Sequence, residues 1–481
     1  MMNSKFDSAF NAVKTPKTES NSDCRLQRAR AKRRGAALFA IALLASVTLH
    51  AGPAYAAEND AVRVWNEKAA TAVANGPTAA VPGLQFAPPV AFIHMAIVQG
   101  AVYDAVNAIK GGHAPYINGL KAATSASADA AAATAAHHVL IGIVNQAPVT
   151  ATLTAEIKNA IKARLDADYV SSLAEIPAGQ AKAKGVAVGA AAAAAMLANR
   201  TGDGRFGAPG FPVPANPGPG EWRPNPGNDP NGWVRNVKPF ALPSPEHFHT
   251  SGPPSLTSAQ YTAEFNEVKA LGRATGSTRT EAQTSLANWS GAHPVPMLYA
   301  SMRQVAASKG LTISAQARFH AMTAMSAADS LINCWAEKAH WGFWRPTSAI
   351  QLAETDGNPA TEDDDLWTSL LPLPPYSDEP SGANCVFSGF MNSAKAFFGS
   401  DAAEFDIVST GVGPGTGSTR HYSSFTSVIP DVIEARIYGG LHFRYADVHG
   451  AQLGQWVADY VDRKLFNCGP PGQCRQEGKS R

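Results

Sequence analysis

Residues 130–140, AAAATAAHHVL, and 188–197, VGAAAAAAML, decide the fold. Alanine is the best helix former, because its side chain loses no rotamer freedom. Two such runs argue for helix over sheet. Outward from them, helices are expected at 58–75, 89–109, 125–145, 151–170 and 178–199. After a break they resume at 257–272, 278–291, 295–308, 312–340, 383–398, 430–438 and 442–466. No alternating strand pattern of any length interrupts them, so the expected class is all-α. The break, residues 202–256, is crowded with Gly and Pro (GDGRFGAPGFPVPANPGPGEWRPNPGNDPNGW) and cannot be regular helix or central strand. Its Trp222, Trp233 and Phe240 predict a segment that packs down onto the protein. The chain then reads as two bundle-like lobes: a supporting N-terminal one at 57–255 and a C-terminal one at 256–466, followed by a tail at 467–481.

The N-terminus reads as an export signal over residues 1–56. A basic cluster (Arg28, Arg30, Lys32, Arg33, Arg34) precedes an apolar run at 36–49, and Ala54-Tyr55-Ala56 offers small residues at the two positions a signal peptidase reads. The expected location is therefore periplasmic or secreted, with no stable membrane insertion after cleavage. Four cysteines remain beyond the signal. Cys468 and Cys474 flank a short Pro/Gly loop and are disulfide candidates; Cys334 and Cys385 fit a bridge or two buried thiols equally. A net charge of +2 gives no electrostatic case for nucleic acid, so the expected partner is a small-molecule substrate. Oligomeric state is not legible.

Three stretches carry chemistry. In Lys338-AHWGFW-Arg345-Pro346, two cations seven apart lie on one face of a helix that Pro346 would end, among aromatic side chains. Cations in such dry surroundings need an anion. In Pro380-Ser381-Gly382-Ala383-Asn384, a hydroxyl and free backbone N–H groups open a helix, a place that holds phosphate-like anions. In Ala435-Arg436-IYGGL-His442, Gly439-Gly440 should stop one helix and leave His442 at the start of the next, near Arg436. Each stretch alone also fits an ordinary surface cation pair, N-cap or core histidine.

Taken together, Lys-x6-Arg-Pro, Pro-Ser-Gly and Arg-x5-His resemble the active-site signature of vanadium haloperoxidases and type 2 phosphatidic acid phosphatases. HMAIVQGAVYDAVNAI (94–109), PGPGEWRP (217–224), PFALPSP (239–245) and LTSAQYTAEFNEVKALG (256–272) look like other parts of bacterial vanadium-haloperoxidase-like proteins, as does ARIYGGLHFRYADVHG (435–450). The resemblance implies that Lys338, Arg345 and Arg436 neutralise a tetrahedral oxyanion, and that Ser381 and the Gly382 N–H bond its oxygens. His442 would be the axial ligand of vanadate or the nucleophile on phosphate. Lys338 and His442 would be the catalytic pair, with vanadium as the Lewis acid that activates hydrogen peroxide toward a halide or another small nucleophile.

Two positions depart from the pattern. The acid–base histidine that usually follows Ser-Gly is Ala383, which cannot transfer a proton. His340 and His421 are substitutes by motif proximity alone. The aspartate four residues past the third-motif histidine, which orients its ring in the phosphatases, is replaced by Ala446, with Asp447 one residue on. Three readings follow: vanadium haloperoxidase-like peroxidase, phosphoester hydrolase through a phosphohistidine, or a non-catalytic oxyanion binder. Elsewhere, Asp104 and Asn107 read as core hydrogen-bonders and the acidic run 362–365 as a solvated loop.

Overall fold

A computed structural model describes residues 60–410 and 415–466; the expected signal and the Cys468 and Cys474 pair fall outside them. Each early helix starts where its cap predicts. In α1 (Ala61–Ala74) the Asp60 carboxylate accepts from Arg63 N. In α3 (Ala128–Gln146) Ser127 accepts from Ala130 N, and in α4 (Ala155–Ala174) Thr154 accepts from Ile157 N. Between α1 and α3 runs α2 (Pro88–Lys110), with Pro at its first turn and Gly111 in the left-handed region at its end. By length and composition α2 could cross a membrane, but it is wholly buried in the protein. Small residues in α3 and α5 (Gln180–Asn199) do more than favour helix. A Cβ on Gly185 would lie 2.9 Å from Ala130 Cβ, and one on Gly189 would lie 2.7 Å from Thr134 Cβ, so only glycine permits this helix spacing.

The later helices are α6 (Ala259–Leu271), α7 (Glu281–Ser290), α8 (Pro294–Ser308), α9 (Ile313–Trp341), α10 (Pro346–Gln351), α11 (Gly382–Phe398), α12 (Val428–Tyr438) and α13 (Arg444–Lys464). The long helix α9 is buried from Ala315 to Lys338 and packs against α2, α11 and α13. One stripe of α9 is polar. Asp329 accepts backbone N–H bonds from Phe240, Ala241 and Leu242. One turn on, Asn333 bonds both N–H and C=O of Phe248. A further turn on, Glu337 accepts from Thr250 N. Burial raises Asp329 to about 6 even against the lowering by those N–H bonds. The stripe fastens the Gly/Pro-rich segment, whose Trp222, Trp233 and Phe240 are buried.

Three features differ from the sequence reading. First, α9 ends at Trp341, because Gly342 takes φ +50° and stops it. Pro346 instead opens α10, so Arg345 is that helix's N-cap and does not share a helix face with Lys338. Residues 220–222 clamp the connecting turn through Trp222 N to Gly342 O (2.7 Å) and Trp344 N to Gly220 O (2.9 Å). Second, α10 is a six-residue helix that was not expected. Third, a small antiparallel hairpin joins β1 (Ala402–Val408) and β2 (Thr419–Ser424). Ala403, Phe405 and Ile407 point inward while Glu404 and Val408 face solvent, an alternation too short to stand out. Among the described residues the remaining regular structure is helical.

α11 and α13 approach closely. A Cβ on Gly450 would lie 2.5 Å from Ser381 O, and one on Gly454 would lie 2.6 Å from Gly389 N. Gly454→Ala is expected to cost about 1–3 kcal/mol by overpacking this seam, read as a lower urea midpoint with unchanged slope.

Candidate oxyanion site

A cavity of about 130 Å³ opens where α2, α7, α9, α11 and the α12–α13 turn meet. Its walls include Tyr376, Gly382, Ala383, Arg436 and His442, with Trp335 at one side. Arg436 comes from the last turn of α12 and His442 from the turn that follows it. Gly382 and Ala383 are the first residues of α11, whose N-cap Ser381 makes no side-chain cap. The first-turn N–H groups of that helix therefore face an acidic guest without competition.

Lys338 and Arg345 lie behind the wall, both buried. Lys338 Nζ donates to the carbonyls of Ser377 (2.8 Å) and Asp378 (2.9 Å). Arg345 donates to the carbonyls of Tyr376 (2.6 Å) and Leu441 (2.6 Å). The Tyr376 ring lies 5.0 Å from each cationic group. Burial pushes the Lys338 ammonium down to about 8. Arg436 donates weakly to Ser290 O at 3.3 Å, and its Nε has no partner.

His442 Nδ1 lies 2.8 Å from Asp378 Oδ1. An N–H of Arg345 faces its Nε2 at 3.5 Å. That contact makes Nε2 the lone-pair nitrogen and Nδ1 the protonated one. Burial holds the imidazole well below its ordinary pKa, helped by Arg345, Lys338 and Arg436. Burial also raises Asp378, against the pull of Arg345 and Lys338.

Ser381 does not line the cavity. Its hydroxyl accepts from Asn384 Nδ2 (3.3 Å), which also donates to Asp447 Oδ1 (2.7 Å). Ser381 N donates to Ala446 O (2.8 Å), tying the start of α11 to the start of α13. Cys334 and Cys385 are free, buried thiols.

Residues 318–468 match the family model described as the VCPO second helical-bundle domain. No curated protein matches the chain in sequence. Among solved structures, a bacterial vanadium-dependent iodoperoxidase superposes with TM-score 0.65 at 22% identity, covering 84% of this chain and 95% of that one. The holo form of a bacterial vanadium-dependent chloroperoxidase gives TM-score 0.62 at 16% identity, covering 84% and 97%. The apo form of a bacterial vanadium-dependent chloroperoxidase gives 0.61 at 17%, covering 81% and 95%. The chain has the vanadium haloperoxidase fold.

Within that fold the cavity suits a tetrahedral oxyanion. The Arg436 Nε is an orphaned buried donor, His442 offers a lone pair at Nε2, and helix N–H groups close the third side. A side chain at position 382 would meet the Trp335 ring at 3.0 Å, so glycine keeps that backbone open to a guest. Among the described residues no cluster of His, Cys, Asp or Glu could hold a metal cation.

Neither His340 nor His421 lines the cavity. His340 is exposed beside Trp341. His421 is exposed on the hairpin between Asp406 and Glu404, whose hydrogen bonds raise its pKa. The carboxylate against the His442 ring is Asp378, while Asp447 bonds Asn384. The signal was the pair of acids in SDEPSGAN just before the second motif. Asp104 accepts from Tyr116 N and Ile117 N, and Asn107 donates to His113 O; both serve the core. The 362–365 run is largely exposed.

Two outcomes are expected. Asp378→Ala weakens vanadate binding about 10–100-fold in titration calorimetry, and Asp378→Asn falls between it and the parent. Lys338 is cationic below about 8 and loses its charge above it. Affinity for sulfate, whose own charge is constant there, is expected to fall as pH rises through that value, and Lys338→Met to remove the step.

Proposed function

We propose that the chain is a vanadate-dependent peroxidase that oxidises a halide or another small nucleophile with hydrogen peroxide. The observation that carries this is the meeting of Arg436, His442 Nε2 and the α11 N-terminus in one small cavity, backed by two buried cations. Arg436 and the N–H groups of Gly382 and Ala383 would hold the oxyanion, with Lys338 and Arg345 supplying positive potential from behind. Ser381 would act through Asn384 and the α11 start, since its hydroxyl is turned toward Asp447. His442 would ligate through Nε2, with Asp378 fixing its ring. When bound, vanadate supplies Lewis-acid activation of peroxide. The N-terminal basic, apolar and Ala-Tyr-Ala sequence supports export of the protein.

A second reading, phosphoester hydrolysis through a phosphohistidine, draws on the same Asp378–His442 pair. A buried carboxylate on Nδ1 makes Nε2 a better nucleophile. Non-catalytic binding draws on Ala383. Parallel assays separate the three readings. Bromide and iodide oxidation that depends on added vanadate is the expected result. His442→Ala should abolish it, and Ala383→His should raise turnover by at least about tenfold. Phosphoester cleavage inhibited by vanadate would replace this reading with the second, and binding without turnover would replace it with the third.

A further inference from the structure

Ala383 leaves the cavity without the family's neutral proton donor, and the other walls show what stands nearby. Five lining side chains carry a polar group: Ser290, Trp335, Tyr376, Arg436 and His442. The Trp335 indole N–H is committed to Asp229 at 2.9 Å. The Ser290 hydroxyl donates to Ala287 O at 2.9 Å, so its proton is committed. The His442 proton is on Nδ1, against Asp378. Arg436 is a fixed cation. Tyr376 remains. Its ring packs against Trp335 (centroids 4.9 Å apart) and lies 5.0 Å from both the Lys338 and Arg345 cationic groups. Its backbone is pinned by Arg345. Its phenol makes no hydrogen bond among the described residues; burial raises its pKa, against the pull of Arg345 and Arg436.

We propose that Tyr376 contacts the guest directly, its phenol O–H donating to the oxyanion oxygen on the Ala383 side of the cavity. This rests on the oxyanion reading of the site. A ring crowded by Trp335, Lys338 and Arg345 has little room to swing, which favours a hydroxyl already positioned before the guest arrives. The two guanidinium groups polarise the phenol and strengthen its bond to an anion. Charge-assisted bonds of this kind set the expected size of the effect.

The test uses the full chain with inorganic phosphate and vanadate as probes. Binding is followed by calorimetry and by ultraviolet difference spectroscopy of tyrosine. On phosphate binding, the parent should show a tyrosine difference band that is absent in Tyr376→Phe. That variant should bind phosphate about ten- to a hundred-fold more weakly. Tyr376→His, which restores an N–H donor, should recover part of the loss. The conservative Tyr376→Phe change keeps the ring, and calorimetric unfolding of each variant separates a folding defect from a binding loss. If Tyr376→Phe binds as the parent does while Arg436→Ala does not bind, Tyr376 is excluded and the site reading survives. A parent that binds neither probe overturns the site reading and this inference with it.

Discussion

Two desolvated cations, Lys338 and Arg345, are held chiefly by the carbonyl oxygens of residues 376–378. A buried ammonium or guanidinium without acceptors is too costly to keep. The chain meets that demand with backbone, which frees every side chain in the short stretch for other work. Tyr376 turns to the cavity. Ser377 returns a hydrogen bond to Lys338 O (2.9 Å). Asp378 takes the His442 ring. One short irregular segment thus sets the position of the positive charge and the orientation of the histidine together.

The same economy governs α9. Its polar stripe of Asp329, Asn333 and Glu337 anchors the Gly/Pro-rich segment, while Lys338 faces the 376–378 carbonyls. That segment in turn clamps the turn between Lys338 and Arg345 through residues 220–222. The irregular part of the chain is therefore a structural brace for the charged wall.

The helices were legible because alanine content, N-caps and terminal prolines act locally. Twelve of the thirteen helices named above lie where those signals place them. The misplaced details are non-local. Gly342 ends α9 locally, but the clamp of residues 220–222 on the turn that follows it comes from far along the chain. The β1–β2 hairpin has only four inward residues, Ala403, Phe405, Ile407 and Tyr422, so it hides among helical patterns. The motif residues could be named from their order along the chain, but Asp378 could not. It reaches His442 from 64 positions away, and its neighbours Glu379 and Asp447 are equally plausible on paper. Burial and direction, which sequence does not carry, choose among them. The Ser381 hydroxyl was expected at the guest for the same reason and lies instead with Asn384.

The glycine seam between α11 and α13 has a consequence for how such a protein can be altered. Backbone there touches backbone, with no intervening groups that could yield. The scaffold that sets the distance from the α11 N-terminus to the His442 turn is in effect a rigid gauge. Positions 376 and 383, by contrast, end in open volume. Retuning the chemistry of this cavity is therefore a matter of exchanging tips on a fixed frame, and an engineer would vary those two sites first and leave the seam untouched.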